Sequence, residues 1–106
     1  MTVDTQEMSD IAKKYANDVR NVMPVDRAIL FGSYAKGTAG GHSDIDVCFF
    51  LPSFNGKRRV DIIYELLKIS DILYKGMYFE PIVFPSSEIE RGNPFVQEVL
   101  KTGIDI

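Results

Sequence analysis

Two short apolar runs, Arg27 to Phe31 and Asp44 to Leu51, are separated by twelve residues that hold four of the chain's eight glycines and no large aliphatic side chain. This spacing constrains the fold more than any other feature. Each run has the length of a strand and carries residues that pack well on a pleated surface. The connector, Gly32 to Ser43, is too rich in glycine for a stable helix beyond a turn at Tyr34 to Lys36. The two strands can close as an antiparallel pair around this loop, which predicts a mixed sheet.

The remaining elements read from apolar spacing. Met8, Ile11, Ala12, Tyr15, Ala16, Val19, Val22 and Met23 recur at i, i+3, i+4, i+7 and predict an amphipathic helix from Thr5 to Met23, stopped by Pro24. Val60, Ile63, Leu66, Leu67, Ser70, Leu73 and Tyr74 predict a second helix over Lys57 to Lys75, with Gly76 as its stop. Met77 to Phe84 is a third strand closed by Pro85. Asn93-Pro94 caps a last helix, Phe95 to Thr102, that ends at Gly103. The predicted class is α+β, in the order α-β-(Gly-rich loop)-β-α-β-α, with a small mixed sheet covered by helices. At 106 residues and 12.0 kDa the chain suits one domain spanning 1–106.

Charge and cysteine count exclude several functions. Twelve basic against fifteen acidic residues leave a net charge of −3, the wrong sign for holding nucleic acid by charge alone. A single cysteine, Cys48, excludes an intrachain disulfide and a multi-cysteine zinc site. No apolar run reaches the roughly 18 residues of a membrane span. The N-terminus lacks the pattern of a secretory signal, so a cytoplasmic location is expected.

The chemistry concentrates at the loop and its flanks. Asp44 and Asp46, at i and i+2 on an extended segment, share one face with Cα atoms about 6.5–7 Å apart. Ile45 and Val47 then face the core. Two adjacent carboxylates repel, and a hard cation between them relieves the repulsion. Oxygen ligands of this kind suit Mg²⁺, which completes its shell with water and phosphate oxygens. Gly32 lacks the Cβ that would block a phosphate, Ser33 offers a hydroxyl, and successive loop amides can bind an anion. Other glycine motifs fail: Thr38-Ala39 stands where a P-loop needs Lys-Ser/Thr, and no G-x-G-x-x-G is present.

Leu30-Phe31-Gly32-Ser33-Tyr34-Ala35-Lys36-Gly37 followed by Asp44-Ile45-Asp46-Val47 resembles the signature of the polymerase-beta-like nucleotidyltransferase superfamily. The Ser-Tyr-Ala-Lys-Gly turn and the short chain resemble its minimal nucleotidyltransferase branch, and the likeness runs from about Arg27 to Phe84. The resemblance implies that Gly32 and Ser33 hold the β- and γ-phosphates of a nucleoside triphosphate. Asp44 and Asp46 would bind two Mg²⁺ ions, with Mn²⁺ as a substitute. Glu80, the one acid of the third strand, matches the family's third carboxylate, where Asp is more usual, and would take the proton of the acceptor. Lys36 matches a position often basic in relatives and is a candidate phosphate contact. The implied reaction transfers a nucleoside monophosphate, AMP from ATP, to a hydroxyl. In this branch the acceptor is a tyrosine of a helical HEPN-type partner in a toxin–antitoxin pair, so homo- or hetero-oligomers are expected.

The alternative is a binding module that neutralises its partner by contact; the complete Gly32-Ser33 and Asp44/Asp46 set argues against it. An antibiotic-modifying or nucleic-acid-extending transferase is disfavoured, because those relatives add acceptor domains. Lys57, Arg58 and Arg59 crowd the predicted first turn of the long helix, where the macrodipole disfavours cations; Asp61 offsets them. His42 reads as an exposed loop residue, Cys48 as a buried small apolar one. Glu88 and Glu90 read as solvated, and Tyr64, Tyr74 and Tyr78 as packing or interface residues.

Overall fold

The computed structural model describes residues 5–38, 44–74 and 76–106. The element order is α1 (Thr5–Arg20), β1 (Arg27–Phe31), α2 (Ser33–Lys36), β2 (Ile45–Leu51), α3 (Arg59–Leu73), β3 (Phe79–Pro85), a 3-10 turn (Ser86–Ile89), α4 (Pro94–Thr102) and β4 (Ile104–Asp105). The strands form one mixed sheet in the order β3-β2-β1-β4. β1 runs antiparallel to β2 and to β4, whereas β2 and β3 are parallel. The expected α+β mixed sheet is therefore present. Pro81 is tolerated within β3 because that strand lies at the edge, where a missing N–H breaks no interior ladder.

Strict alternation along the strands sorts the side chains onto two faces. Ala28 and Leu30, Ile45, Val47, Phe49 and Leu51, and Phe79 and Val83 pack against α1 and α3. Ile29, Cys48 and Phe50 pack instead against Val96 and Val99 of α4, with Phe31, Ile82 and Phe84 at their margin. Tyr15 ties the first layer together. Its ring lies edge-on to Phe49 and Tyr74, and its hydroxyl donates to the Leu66 carbonyl of α3 at 2.7 Å.

Some boundaries differ from the sequence expectation. α1 ends at Arg20, three residues early, and α3 begins at Arg59 because Arg58 is its N-cap, so Lys57 and Arg58 do not lie in the first turn. The Asp61 side chain accepts from the Arg58 backbone N–H and guanidinium, which closes a capping box and neutralises the local charge. Lys57 pairs with Glu65 at 3.1 Å. Arg59 donates to the Val83 carbonyl at 3.0 Å and lies over the Phe84 ring, so it covers the β3 edge. β4 and the 3-10 turn carry no apolar periodicity, and the sequence expectation missed both. Gly103 sets β4 in place: a Cβ there would stand 2.5 Å from the Val99 carbonyl, so only glycine lets the strand come this close to α4.

Candidate active site

The helix α4 leaves one end of its sheet face bare, at the C-terminal end of β1 and the start of β2 and β3. Register brings the polar residues together there. Phe31 pairs with Asp46, and Asp46 pairs in turn with Glu80. Both acids point to the face of Cys48 and Ile82, as alternation requires. Gly32 follows directly, turning the chain into α2 with φ 73° and ψ −151°, a combination open essentially to glycine alone. Gly37 closes the turn in the left-handed conformation, and its N–H bonds the Ser33 and Tyr34 carbonyls.

The bareness of Gly32 has a reason beyond the one expected. A Cβ built there would fall inside the van der Waals envelope of Asp46 Oδ2 and 3.1 Å from its Cγ. The space is taken by the Asp46 carboxylate, so glycine is required to seat this acid beside the loop. Asp46 itself is half-buried, and its pKa is pushed up to about 6. Burial is the largest cause, followed by a hydrogen bond with Glu80 and the charges of Glu80 and Asp44. Asp44 lies just before β2 and is exposed, so its effect on Asp46 is electrostatic.

The structure thus joins Asp46, Glu80 and Gly32 directly, with Asp44, Ser33 and Lys36 around them. Ser33 is half-buried at the start of α2, and Lys36 is exposed at its end. Among the described residues, no three acids, histidines or cysteines are drawn into a ready-made metal cluster. The donor set nevertheless suits a hard divalent cation, because two carboxyl groups in contact, with a third charge nearby, carry repulsion that such an ion relieves. His42 lies outside the described residues, as does the part of the loop from 39 to 43. Cys48 is buried and its thiol is pushed up to about 12 by that burial, which fits the apolar role expected of it.

Two clefts flank the acids. One, of about 340 Å³, is bounded by Asp46, Glu80, Pro81, Ile82, Ile63 and the Phe31–Phe95 pair. The other, of about 280 Å³, runs past Gly32 and Lys36 to Glu98 and Thr102. Phe31 and Phe95, 5.7 Å apart and edge to face, form the ridge between them. The sequence expectation did not single out Phe95; its place beside the acids depends on α4 folding back over the sheet.

Comparison with known proteins decides the family. Residues 12–104 match the family model described as a nucleotidyltransferase domain. The chain belongs to the nucleotidyltransferase domain family. A relative from Methanocaldococcus jannaschii, named "Putative protein adenylyltransferase", is 33% identical over 81 residues, covering 65% of this chain and 81% of the relative. A zebrafish (Danio rerio) protein named as a poly(A) RNA polymerase is 28% identical over 81 residues; the match covers 71% of this chain but only 17% of that one. A crystal structure described as a "putative nucleotidyltransferase" from Sulfolobus solfataricus superimposes with a TM-score of 0.68 at 22% identity, covering 96% of this chain and 81% of that one. The fold is therefore a nucleotidyltransferase fold, and nucleotidyl transfer is the family's reaction. Among the described residues, no helix of this nucleotidyltransferase is long and apolar enough to cross a membrane.

Proposed function

We propose that the chain transfers AMP from ATP to a hydroxyl group, and that Gly32, Ser33, Lys36, Asp44, Asp46 and Glu80 form its active site. The observation that carries this reading is the order of groups across one sheet edge: Glu80 on β3, Asp46 on β2, and Gly32 and Ser33 after β1. In-line phosphoryl-type displacement needs the leaving and attacking oxygens on opposite sides of the phosphorus. With the pyrophosphate on the β1 side, held by Ser33, the loop amides and Lys36, the α-phosphorus lies over Asp46 and the acceptor over β3. Glu80, exposed on that side, accepts the proton of the attacking hydroxyl.

Asp44, Asp46 and Glu80 are the residues that would hold two Mg²⁺ ions, or Mn²⁺ in their place. Bound there, the ions would supply charge neutralisation for a pyrophosphate leaving group and acidity for the acceptor hydroxyl. The protein's own contribution is positioning. Gly32 keeps Asp46 seated against the phosphate loop, and the Phe31–Phe95 ridge walls off one side of the acids.

The acceptor we assign is a tyrosine of a HEPN-type helical partner, the acceptor that the sequence resemblance implies, in an antitoxin role in the cytoplasm. The relative named for protein adenylylation supports a protein acceptor. The test is intact-mass analysis of such a partner after incubation with this chain, ATP and Mg²⁺. Addition of AMP, lost with Asp44→Asn in a folded protein, is the expected result; an unmodified partner sinks the reading. A contact-only antitoxin is the second reading, favoured by the exposed Val60, Tyr64 and Leu67 at helical spacing on α3. It requires Asp44→Asn to neutralise the partner as well as the parent chain does.

A further inference from the structure

We infer that Tyr78 is a self-acceptor, a site at which the chain nucleotidylates its own phenol. The inference rests on the reading above, in which the acceptor hydroxyl approaches over β3 beside Glu80. Tyr78 immediately precedes that strand. Its carbonyl accepts the Ile45 N–H at 2.8 Å, so the β2–β3 ladder extends to it and fixes its backbone next to the segment between Asp44 and Asp46. Phe79 turns inward against Tyr15 and Tyr74 on the α1 face. Alternation therefore sends Tyr78 to the opposite face, the face of Glu80, with Cα atoms about 6.5–7 Å apart. That is a distance a tyrosine ring spans.

Tyr78 is 72% exposed, and among the described residues its hydroxyl and ring have no partner. The other four tyrosines are placed differently. Tyr15 is buried and bonded to Leu66, Tyr34 is buried, and Tyr74 donates to Asp18 at 2.6 Å. Tyr64 stands on the outer face of α3 with Lys68 over its ring. Only Tyr78 combines an uncommitted phenol with the acceptor side of the acids. In the step, the phenol oxygen bonds to the α-phosphorus of a nucleoside triphosphate, the bond from that phosphorus to the bridging oxygen breaks, and pyrophosphate leaves. The phenol proton passes to the Glu80 carboxylate. No electrons are exchanged with any other group.

The experiment incubates the purified full chain, without any partner, with ATP and Mg²⁺, and reads intact mass followed by peptide mapping. The expected product is one AMP added per chain on Tyr78, with a fraction modified per unit time that is independent of protein concentration because donor site and acceptor share a chain. Tyr78→Phe abolishes the adduct while ATP and Mg²⁺ still raise its Tm as they raise that of the parent chain. An adduct on another residue, an adduct that persists in Tyr78→Phe, or a fraction modified per unit time that rises in proportion to protein concentration overturns the inference. Stabilisation by ATP with no adduct overturns it as well and leaves the parent reading standing. Absence of any ATP-dependent stabilisation overturns both.

Discussion

At the scale of single residues, Asp46 carries an electrostatic conflict. Its carboxyl is half-buried beside Gly32 and shares a hydrogen bond with Glu80, so its folded pKa of about 6 lies above the ordinary value of 3.8. A raised carboxyl pKa means that the native state holds the proton more tightly than the unfolded state does. Stability therefore falls as pH rises from about 4 to about 6, and the full penalty persists above that window. Asp46→Asn is accordingly expected to stabilise the metal-free protein at pH 7 by about 1–2 kcal/mol, allowing for solvent screening, with no gain near pH 3.5. Thermal melts with a chelator across pH check this, and a pH-independent effect would contradict the assigned cause. The same substitution is expected to abolish transfer, which separates the function of the carboxylate from its cost. Gly32→Ala meets both a forbidden backbone conformation and the Asp46 side chain. It is expected to destabilise by about 1–3 kcal/mol and to abolish transfer, read by melts and by AMP incorporation.

At the scale of elements, α1 and α3 are joined by the Tyr15 hydroxyl on the Leu66 carbonyl. Burial holds the Tyr15 phenol far above its ordinary pKa, so it remains a neutral donor at every accessible pH. Tyr15→Phe keeps the ring contacts and removes one buried hydrogen bond, an expected loss of about 1 kcal/mol in denaturant melts with the m-value unchanged. β4 depends on close approach rather than on its own side chains. Gly103→Ala would drive a methyl into Ile29 and the Val99 carbonyl, with an expected cost of about 1–3 kcal/mol. The Arg27–Asp105 pair next to it, 2.8 Å apart and largely solvated, holds the Asp105 carboxyl below its ordinary range. Its contribution is small and is lost as pH falls through that lowered value.

At the scale of the whole molecule, one sheet has two differently used faces: α1 and α3 seal one completely, while α4 seals the other only in part and leaves the acids open at its end. A ligand that binds this folded site stabilises the entire domain by linkage; ATP with Mg²⁺ at a hundred times its Kd is expected to add about 2.7 kcal/mol. A thermal-shift titration checks it, and no shift in the parent chain argues against a nucleotide site. The α+β class and the antiparallel strand pair were legible in the sequence, which also proposed Gly32, Ser33, Lys36, Asp44, Asp46 and Glu80 as candidate site residues. Strand alternation, glycine placement and the spacing of charges are local properties, and local sterics enforce them. β4 was not legible, because two residues have no period and pair only when Gly103 meets α4. Neither was the purpose of Gly32, whose missing Cβ makes room for a carboxylate fourteen residues later in the chain. The places of Phe95 beside the acids and of Arg59 over the β3 edge, and the proposed role of Tyr78, likewise came from tertiary placement. The sequence by itself determined the main helices and strands and which residues carry charge. Only the tertiary structure decided which of those residues stand side by side, because contacts between distant segments depend on register and packing that no local pattern encodes.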